Sequence, residues 1–168
     1  DNLTIANGYG YAGFNMVLAL QKLGHKVPYQ SPTAPVEIFF SQPEFFDFTS
    51  QDQYKIGYTP WESTGLPSGW LQGFEECDEV WTPSPLIAQW YKDAGVTKDV
   101  HVYEHGIDPV WKPKKRQDTG KIRFFHHGEP APRKGGQLAL DAFRAAFGDR
   151  DDVQLTFKAH NYSLIRAF

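Results

Sequence analysis

The sequence predicts an α/β protein: a Rossmann-like parallel sheet with helices on both faces, followed by the start of a second Rossmann-like domain. Short β-rich runs alternate with amphipathic helical runs along the 168 residues, and this alternation favours parallel strands joined by helices. The alternation restarts after a stretch rich in proline and charge, DPVWKPKKRQDTG. We therefore predict a first domain at residues 1–111, a linker at 112–120 and the beginning of a second domain at 121–168.

The first domain is expected to hold six strands and three helices. Strands are predicted at residues 3–7, 25–30 (HKVPYQ), 36–41 (VEIFFS), 54–59 (YKIGYT), 78–83 (DEVWTP) and 99–104 (DVHVYE). Helices are predicted at residues 11–23, near 68–76, and within SPLIAQWYKDAG at 84–95. The last helix has the strongest signals, because Ser84 can cap it, Pro85 suits its first position and Gly95 can end it.

The second domain begins with strand KIRFFHH at 121–127, loop GEPAPRKGG at 128–136 and helix QLALDAFRAAF at 137–147, which Gly148 closes. Strand VQLTFKA at 153–159 and a helix from Tyr162 are expected to follow. A parallel sheet of two strands cannot bury both of its faces. We therefore expect this domain to be incomplete, as in a fragment of a longer protein.

Charge is distributed unevenly along the chain. Residues 1–111 carry 5 Lys, no Arg and 14 acidic residues, a net charge of −9, whereas residues 112–168 carry 12 basic and 6 acidic residues, a net charge of +6. An anionic ligand is therefore expected to meet the second domain. Nucleic acid is disfavoured as that ligand, because the basic residues form no long run and few aromatic residues lie among them.

Composition also bounds the cellular setting. Hydrophobic residues make up 40% and charged residues 22% of the chain, as in ordinary globular proteins. No apolar run approaches the roughly 20 residues needed to cross a bilayer, so no transmembrane segment is predicted. Cys77 is the single cysteine, which excludes an internal disulfide and favours the reducing cytoplasm. Cys77 itself is most simply a core residue.

A glycine motif, NGYGYAGF, lies between the first predicted strand and the first helix. Its spacing, Gly8-x-Gly10-x-x-Gly13, matches the dinucleotide-binding fingerprint. That fingerprint also requires an acidic residue at the end of the second strand, to hold the ribose, but none occurs there before Glu37. Three interpretations stay open: an NAD or FAD site, a glycine turn that lets strand meet helix, and a backbone loop facing another polar or anionic ligand.

Four further segments occur in order: IGYTPWESTGLPSGW, CDEVWTPSPLIAQWYKDAGV, VHVYEHGIDPVWKP and FFHHGEPAPRKGGQLALDAFRAAF. Together with the glycine motif, they resemble glycosyltransferases of the GT-B fold, namely the large retaining family called glycosyl transferases group 1 (GT4). The resemblance covers nearly the whole chain. It implies a metal-independent transferase that moves a sugar from a nucleotide diphosphate sugar to an acceptor hydroxyl with retention of configuration.

For the donor, the resemblance implies a site in the loop at 128–136. Lys134 matches the family's phosphate-binding lysine, Arg133 beside it is a helper, and Gly128 and Gly135 belong to the same loop. A cation there would offset the negative charge that grows on the leaving diphosphate. A solvated basic turn before a helix is the alternative. Many relatives carry arginine after the first glycine, where this chain has Glu129, so that phosphate contact is missing or is made by Arg133.

For the sugar or the acceptor, the resemblance implies a second set of residues in the first domain. The glycine motif would supply Gly8, Gly10 and Gly13, which permit close backbone approach to a ligand, together with Tyr9 and Tyr11. Glu62 in PWES would contact acceptor or donor sugar as a catalytic residue, although it could equally cap the following segment with Ser63. His105, Gly106 and Asp108 of HGID would lie at the mouth of an interdomain cleft, or simply form a turn into the linker.

The histidine pair His126–His127 suggests metal binding, but the pattern opposes it. Adjacent residues of a strand point to opposite faces of the sheet, and no cysteine or carboxylate set completes a zinc site. No Ser-His-Asp or Cys-His nucleophile arrangement is evident. We therefore expect no metal. The resemblance implies no tightly bound cofactor, a UDP- or GDP-sugar as donor substrate, and a glycan, lipid, protein or modified base as acceptor.

Relatives carry an acidic E-x7-E motif late in the second domain, which holds the sugar and ribose of the donor. The sequence ends at Phe168, before such a motif, so the 168-residue chain is expected to be weakly active or inactive. Two alternatives to a transferase remain: a nicotinamide or flavin oxidoreductase, and a non-catalytic interaction module. The module would self-associate through an exposed sheet edge of the second domain.

Overall fold

The computed structural model describes residues 8–108, 110–115, 119–128 and 131–158. The chain divides into two compact units, Asp1–Pro109 and Val110–Phe168. Both units hold parallel strands and helices, which confirms the predicted α/β, Rossmann-like class.

The first unit contains a four-stranded parallel sheet whose strands pair in sequence order. The strands are β1 Val36–Phe40, β2 Tyr54–Tyr58, β3 Glu79–Thr82 and β4 Asp99–Val102. The helices are α1 Gly8–Lys22, α2 Trp70–Glu75 and α3 Pro85–Asp93, with a 3-10 turn at Pro43–Phe45. Ser84 caps α3 as predicted, since its hydroxyl accepts the Leu86 N–H at 3.2 Å.

The two faces of this sheet contact different helices. On one face, Val80 of β3 belongs to a buried cluster with Trp70 and Phe74 of α2 and Tyr91 of α3. On the other face, the ring of Phe40 contacts α1, where a β-carbon added to Gly13 would lie 3.4 Å from it. Helices therefore pack against both faces, as the sequence predicts.

The core of the first unit is dense around α2. Trp70 and Phe74 are buried with ring centroids 6.2 Å apart, and Phe74 lies 4.9 Å from the ring of Tyr91. Gly73 lies between Trp70 and Phe74 in the sequence and contacts the 3-10 turn. A β-carbon at Gly73 would collide with the Pro43 carbonyl. Close approach of two backbones thus requires glycine at this position.

The second unit has one two-stranded parallel sheet and one helix in the part that the structure describes. Its elements are β5 Ile122–His127, α4 Gly136–Phe147 and β6 Val153–Lys158, with a 3-10 turn at Pro132–Lys134. The helix covers one sheet face, where Phe124 contacts Phe143 and Phe147. Phe125 points the other way and is 65% exposed, so the opposite face is open in these residues.

Two sequence predictions for the first unit are wrong. The glycine motif is not a loop before a helix at 11–23, because α1 already begins at Gly8. HKVPYQ forms no strand. Pro28 within it has no N–H to give to a ladder, and Gln30 has a positive φ of 45°, which an extended strand does not allow.

Other predicted segments fall wholly or partly outside the described residues. These are the strand at 3–7, the helix from Tyr162, residues 116–118 of the linker, residues 129–130 of the loop at 128–136, and residue 159 of the last strand. The described linker residues, 112–115 and 119–120, are exposed. Each remaining predicted strand and helix is confirmed with small shifts of its ends.

Candidate functional site

The first candidate site lies at the carboxyl edge of the four-stranded sheet. The Tyr9 hydroxyl, in the first turn of α1, is 3.4 Å from Thr59 Oγ1, just beyond the end of β2. Thr59 is fully buried, and its carbonyl accepts a hydrogen bond from the Tyr91 hydroxyl at 3.1 Å. These contacts hold the start of α1 and the end of β2 together at one edge.

Glu62 is close enough to Tyr9 to affect its ionisation. Burial raises the pKa of the Tyr9 phenol most strongly, the hydrogen bond to Thr59 opposes the rise, and the negative charge of Glu62 adds to it. Tyr9 therefore remains a neutral phenol, able to donate and accept hydrogen bonds. Glu62 is exposed, and a carboxylate can accept hydrogen bonds from hydroxyl groups.

Two aromatic rings flank His105 at the same edge. Its imidazole meets the rings of Phe40 at 6.1 Å and Tyr58 at 5.7 Å, both nearly edge-on. Phe40 in turn lies 5.1 Å from Tyr9, which links His105 to the first pair. The Tyr58 hydroxyl donates to the Tyr103 carbonyl at 2.7 Å, which ties down the segment leading to His105.

Partial burial lowers the pKa of His105, so its imidazole is neutral at neutral pH. A neutral imidazole has one donor and one acceptor nitrogen. Together with a phenol, a carboxylate and flanking aromatic rings, it suits a polyhydroxylated ligand that both stacks and hydrogen-bonds. We call Tyr9, Phe40, Tyr58, Glu62 and His105 the edge site.

The structure brings some of the predicted residues together and separates others. Tyr9, Glu62 and His105 belong to the edge site, whereas Tyr11 lies two residues further along α1 and is 49% exposed. Residues two apart on a helix do not share a face, so Tyr9 and Tyr11 cannot act as a pair. Gly106 is exposed and Asp108 is half-buried.

The three glycines of the motif also differ from the expected ligand loop. Gly10 and Gly13 are buried within α1, and Gly13 faces the Phe40 ring. A β-carbon on Gly8 would meet nothing within 4 Å. Gly13 is thus explained by packing of the helix on the sheet, whereas Gly8 is the first described residue of α1.

Phe40, Tyr58 and Thr59 were missed by sequence reasoning. A signal for them exists, because each ends or follows a parallel strand, and the carboxyl ends of parallel strands share one edge where ligands bind. Applying that rule to every predicted strand would have placed them beside Glu62 and His105.

The second candidate site is the turn between β5 and α4. The stem of Lys134 crosses over Gly128, since a β-carbon on Gly128 would lie 3.4 Å from Lys134 Cβ. Gly135 then adopts a left-handed conformation with φ of 68° and leads into α4. We call residues 131–136 the basic turn; Arg133 and Lys134 are exposed on it. Glu129 lies outside the described residues.

Among the described residues no side chain caps helix α4, since its first flanking residue is Gly135. The leading N–H groups of an uncapped helix lack intrahelical partners and favour an anion. The basic turn therefore places lysine and arginine side chains beside a helix N-terminus, at the carboxyl end of β5. This combination suits a phosphate or diphosphate group.

Other ligand classes find less support in the described residues. No three His, Cys, Asp or Glu side chains among them cluster as a metal site would require. His126 and His127 point to opposite faces of β5: His126 meets Phe157 at 5.1 Å, whereas His127 stacks on Phe125. Burial raises the pKa of the Cys77 thiol to about 12, so this residue is no nucleophile.

None of the helices in the described part of the chain is long and apolar enough to cross a lipid bilayer. Comparison with protein-family models, with curated proteins and with solved structures finds no match for this chain. The two sites, and the resemblance of the sequence motifs to those of GT-B glycosyltransferases, are therefore the observations that bear on function.

Proposed function

We propose that the protein is a glycosyltransferase of the GT-B type. It transfers a sugar from a UDP- or GDP-sugar to an acceptor hydroxyl with retention of configuration and without a metal ion. The observation that carries the proposal is the basic turn, in which Lys134 crosses Gly128 at the start of an uncapped helix. The second unit binds the donor diphosphate, and the first unit binds the acceptor or the sugar.

On the donor side, charge supports the proposal. During transfer, the bond from the anomeric carbon to the diphosphate oxygen breaks and the bonding electrons stay on that oxygen. The acceptor oxygen forms the new bond to the same carbon, and its proton leaves with the diphosphate. Lys134 and Arg133 would stabilise the charge that develops on the leaving group, which lowers the barrier to transfer.

On the sugar side, the edge site supports the proposal. Glu62 and the neutral imidazole of His105 offer acceptors for sugar hydroxyl groups, and the Tyr9 phenol offers both a donor and an acceptor. Phe40, which is half-buried, supplies aromatic surface against the apolar face of a sugar ring, and the buried Tyr58 supports it from behind at 4.7 Å. The cytoplasm, where a lone thiol stays reduced, is the compartment we propose.

Binding measurements test the donor assignment. We expect UDP, GDP or a corresponding sugar nucleotide to bind the chain in titration calorimetry and to raise its melting temperature. Lys134→Ala should weaken that binding about tenfold, since a charge-assisted contact contributes roughly 1.5 kcal/mol. Lys121→Ala, at the amino end of β5, is the matched control and should leave affinity unchanged.

Two results would overturn the proposal. Stabilisation by NAD(H) or a flavin, with no response to UDP or GDP, would make the protein an oxidoreductase instead. Equal loss of affinity in Lys134→Ala and Lys121→Ala would show that general charge, rather than the basic turn, attracts the nucleotide.

A non-catalytic interaction module is the second candidate, favoured by the open face of the β5–β6 sheet and its exposed Phe125. Exposed strands offer unpaired backbone groups to another chain. Analytical ultracentrifugation at rising protein concentration distinguishes the module from the transferase. A dimer that dissociates in Phe125→Ser favours the module, and a monomer at every concentration favours the transferase.

A further inference from the structure

The side chain of His126 makes a hydrogen bond across the second candidate site. Its Nε2 atom lies 3.0 Å from the carbonyl oxygen of Lys134. A carbonyl can only accept, so Nε2 must carry the hydrogen and donate it. The neutral ring with hydrogen on Nε2 and the imidazolium can both make this bond.

The His126 ring also fills the space that two glycines leave. Its Cε1 atom lies 3.7 Å from the positions that β-carbons on Gly128 and Gly136 would occupy, and its other side packs on Phe157 at 5.1 Å. The ring therefore lies beside both the residue that follows β5 and the residue that begins α4.

Two backbone hydrogen bonds within the basic turn are local. The Lys134 N–H bonds the Ala131 carbonyl at 2.9 Å, and the Gly135 N–H bonds the Pro132 carbonyl at 3.0 Å. These two bonds shape the 3-10 turn but do not tie it to the sheet. The hydrogen bond from His126 joins the turn to β5, and it does so at the backbone of Lys134, whose ammonium is proposed to meet the phosphate.

We propose that His126 is a positioning residue for Lys134: it holds the basic turn against the carboxyl end of β5, so that the lysine ammonium meets the diphosphate of the donor. This inference rests on the proposed function. In the sequence, His126 drew notice only as a metal-ligand candidate beside His127, a role that the strand pattern opposes. The hydrogen bond to Lys134 assigns it a different role.

Titration of the full chain with inorganic pyrophosphate tests the proposal. His126→Phe keeps a ring against Phe157 but removes the donor, and we expect about fivefold weaker binding, the equivalent of one hydrogen bond. His126→Gln keeps an N–H donor and should bind like the unaltered chain. His127→Phe, on the opposite sheet face, is the matched control and should also bind normally.

A double-mutant cycle separates positioning from general damage. If His126 acts through Lys134, then His126→Phe should weaken binding no further once Lys134 is alanine. A fivefold loss that persists in the Lys134→Ala background would overturn the proposal. So would equal losses in His126→Phe and His126→Gln.

The rate of limited proteolysis reports how firmly the basic turn is held in the absence of any ligand. Trypsin can cleave after Arg133 and Lys134, and Arg144 within α4 reports unfolding of the helix. We expect His126→Phe to speed cleavage in the turn several-fold relative to cleavage at Arg144, and His126→Gln to leave that ratio unchanged.

The two assays separate the possible failures. If pyrophosphate and UDP do not bind the unaltered chain, the proposed function fails, and the trypsin ratio still decides whether His126 holds the turn. An unchanged ratio in His126→Phe, or equal acceleration at both sites, would overturn the positioning role.

Discussion

The two units differ in how fully their elements enclose a core. In the first, four parallel strands lie between helices, and Trp70, Phe74 and Tyr91 are at most 1% exposed. In the second, the described residues place a single helix on two strands, and Val153 at 8% is the buried hydrophobic residue there. A sheet needs cover on both faces before its side chains leave water. Stability should therefore be concentrated in the first unit.

The largest expected effect compares one aromatic residue in each unit. Phe74→Ala removes a fully buried ring, and we expect the free energy of unfolding to fall by about 4 kcal/mol. Phe143→Ala removes a half-exposed ring from α4, with an expected loss of about 1 kcal/mol. Urea denaturation followed by tryptophan fluorescence and circular dichroism measures both. Equal losses would contradict the difference between the units.

Hydrogen exchange sharpens the comparison at the level of the backbone. Amides of β2 and β3 lie in interior strands, whereas β5 and β6 each have an unpaired side in the described sheet. We expect exchange in β5 and β6 to be roughly a hundredfold faster, because local opening is easiest where few apolar contacts hold an element. Equal protection would show that the second unit is as stable as the first.

A buried thiol gives the first unit a pH dependence. The pKa of Cys77 rises to about 12 because of burial, so above pH 9 the unfolded chain loses this proton while the folded chain keeps it. Stability should then fall by about 1.4 kcal/mol per pH unit. Denaturation between pH 9 and 10 should show a shallower fall in Cys77→Ala, which lacks the group. An equal fall in stability with pH in the unaltered chain and in Cys77→Ala would contradict the raised pKa of Cys77.

The smallest effect concerns the two helix starts. Ser84→Ala removes the cap of α3 and should cost about 1 kcal/mol. Ser68→Ala, an exposed serine ahead of α2, is the matched control and should be near neutral. The start of α4 has no side-chain cap to remove, so added pyrophosphate should stabilise it instead. Protection of the α4 amides by pyrophosphate, measured by hydrogen exchange, checks this difference.

The sequence predicts the regular elements of the fold better than the site. Strands β1 to β6 and helix α3 follow from hydrophobic runs and from Ser84 and Pro85, which are local signals. HKVPYQ shows the limit of such signals, because its valine and tyrosine suit a strand while Pro28 and the positive φ of Gln30 oppose one. The domain boundaries, donor residues and catalytic roles stay predictions.

What the sequence by itself determined is the α/β class, the order of strands β1 to β6, and the glycines that end α3 and α4. These depend on neighbours in the chain, so local propensity is sufficient. Only the tertiary structure decided that Gly13 serves helix packing against Phe40, that rings from two strands flank His105, and that His126 bonds Lys134. Those contacts join residues of different strands, helices and turns, and side-chain packing between these elements selects them.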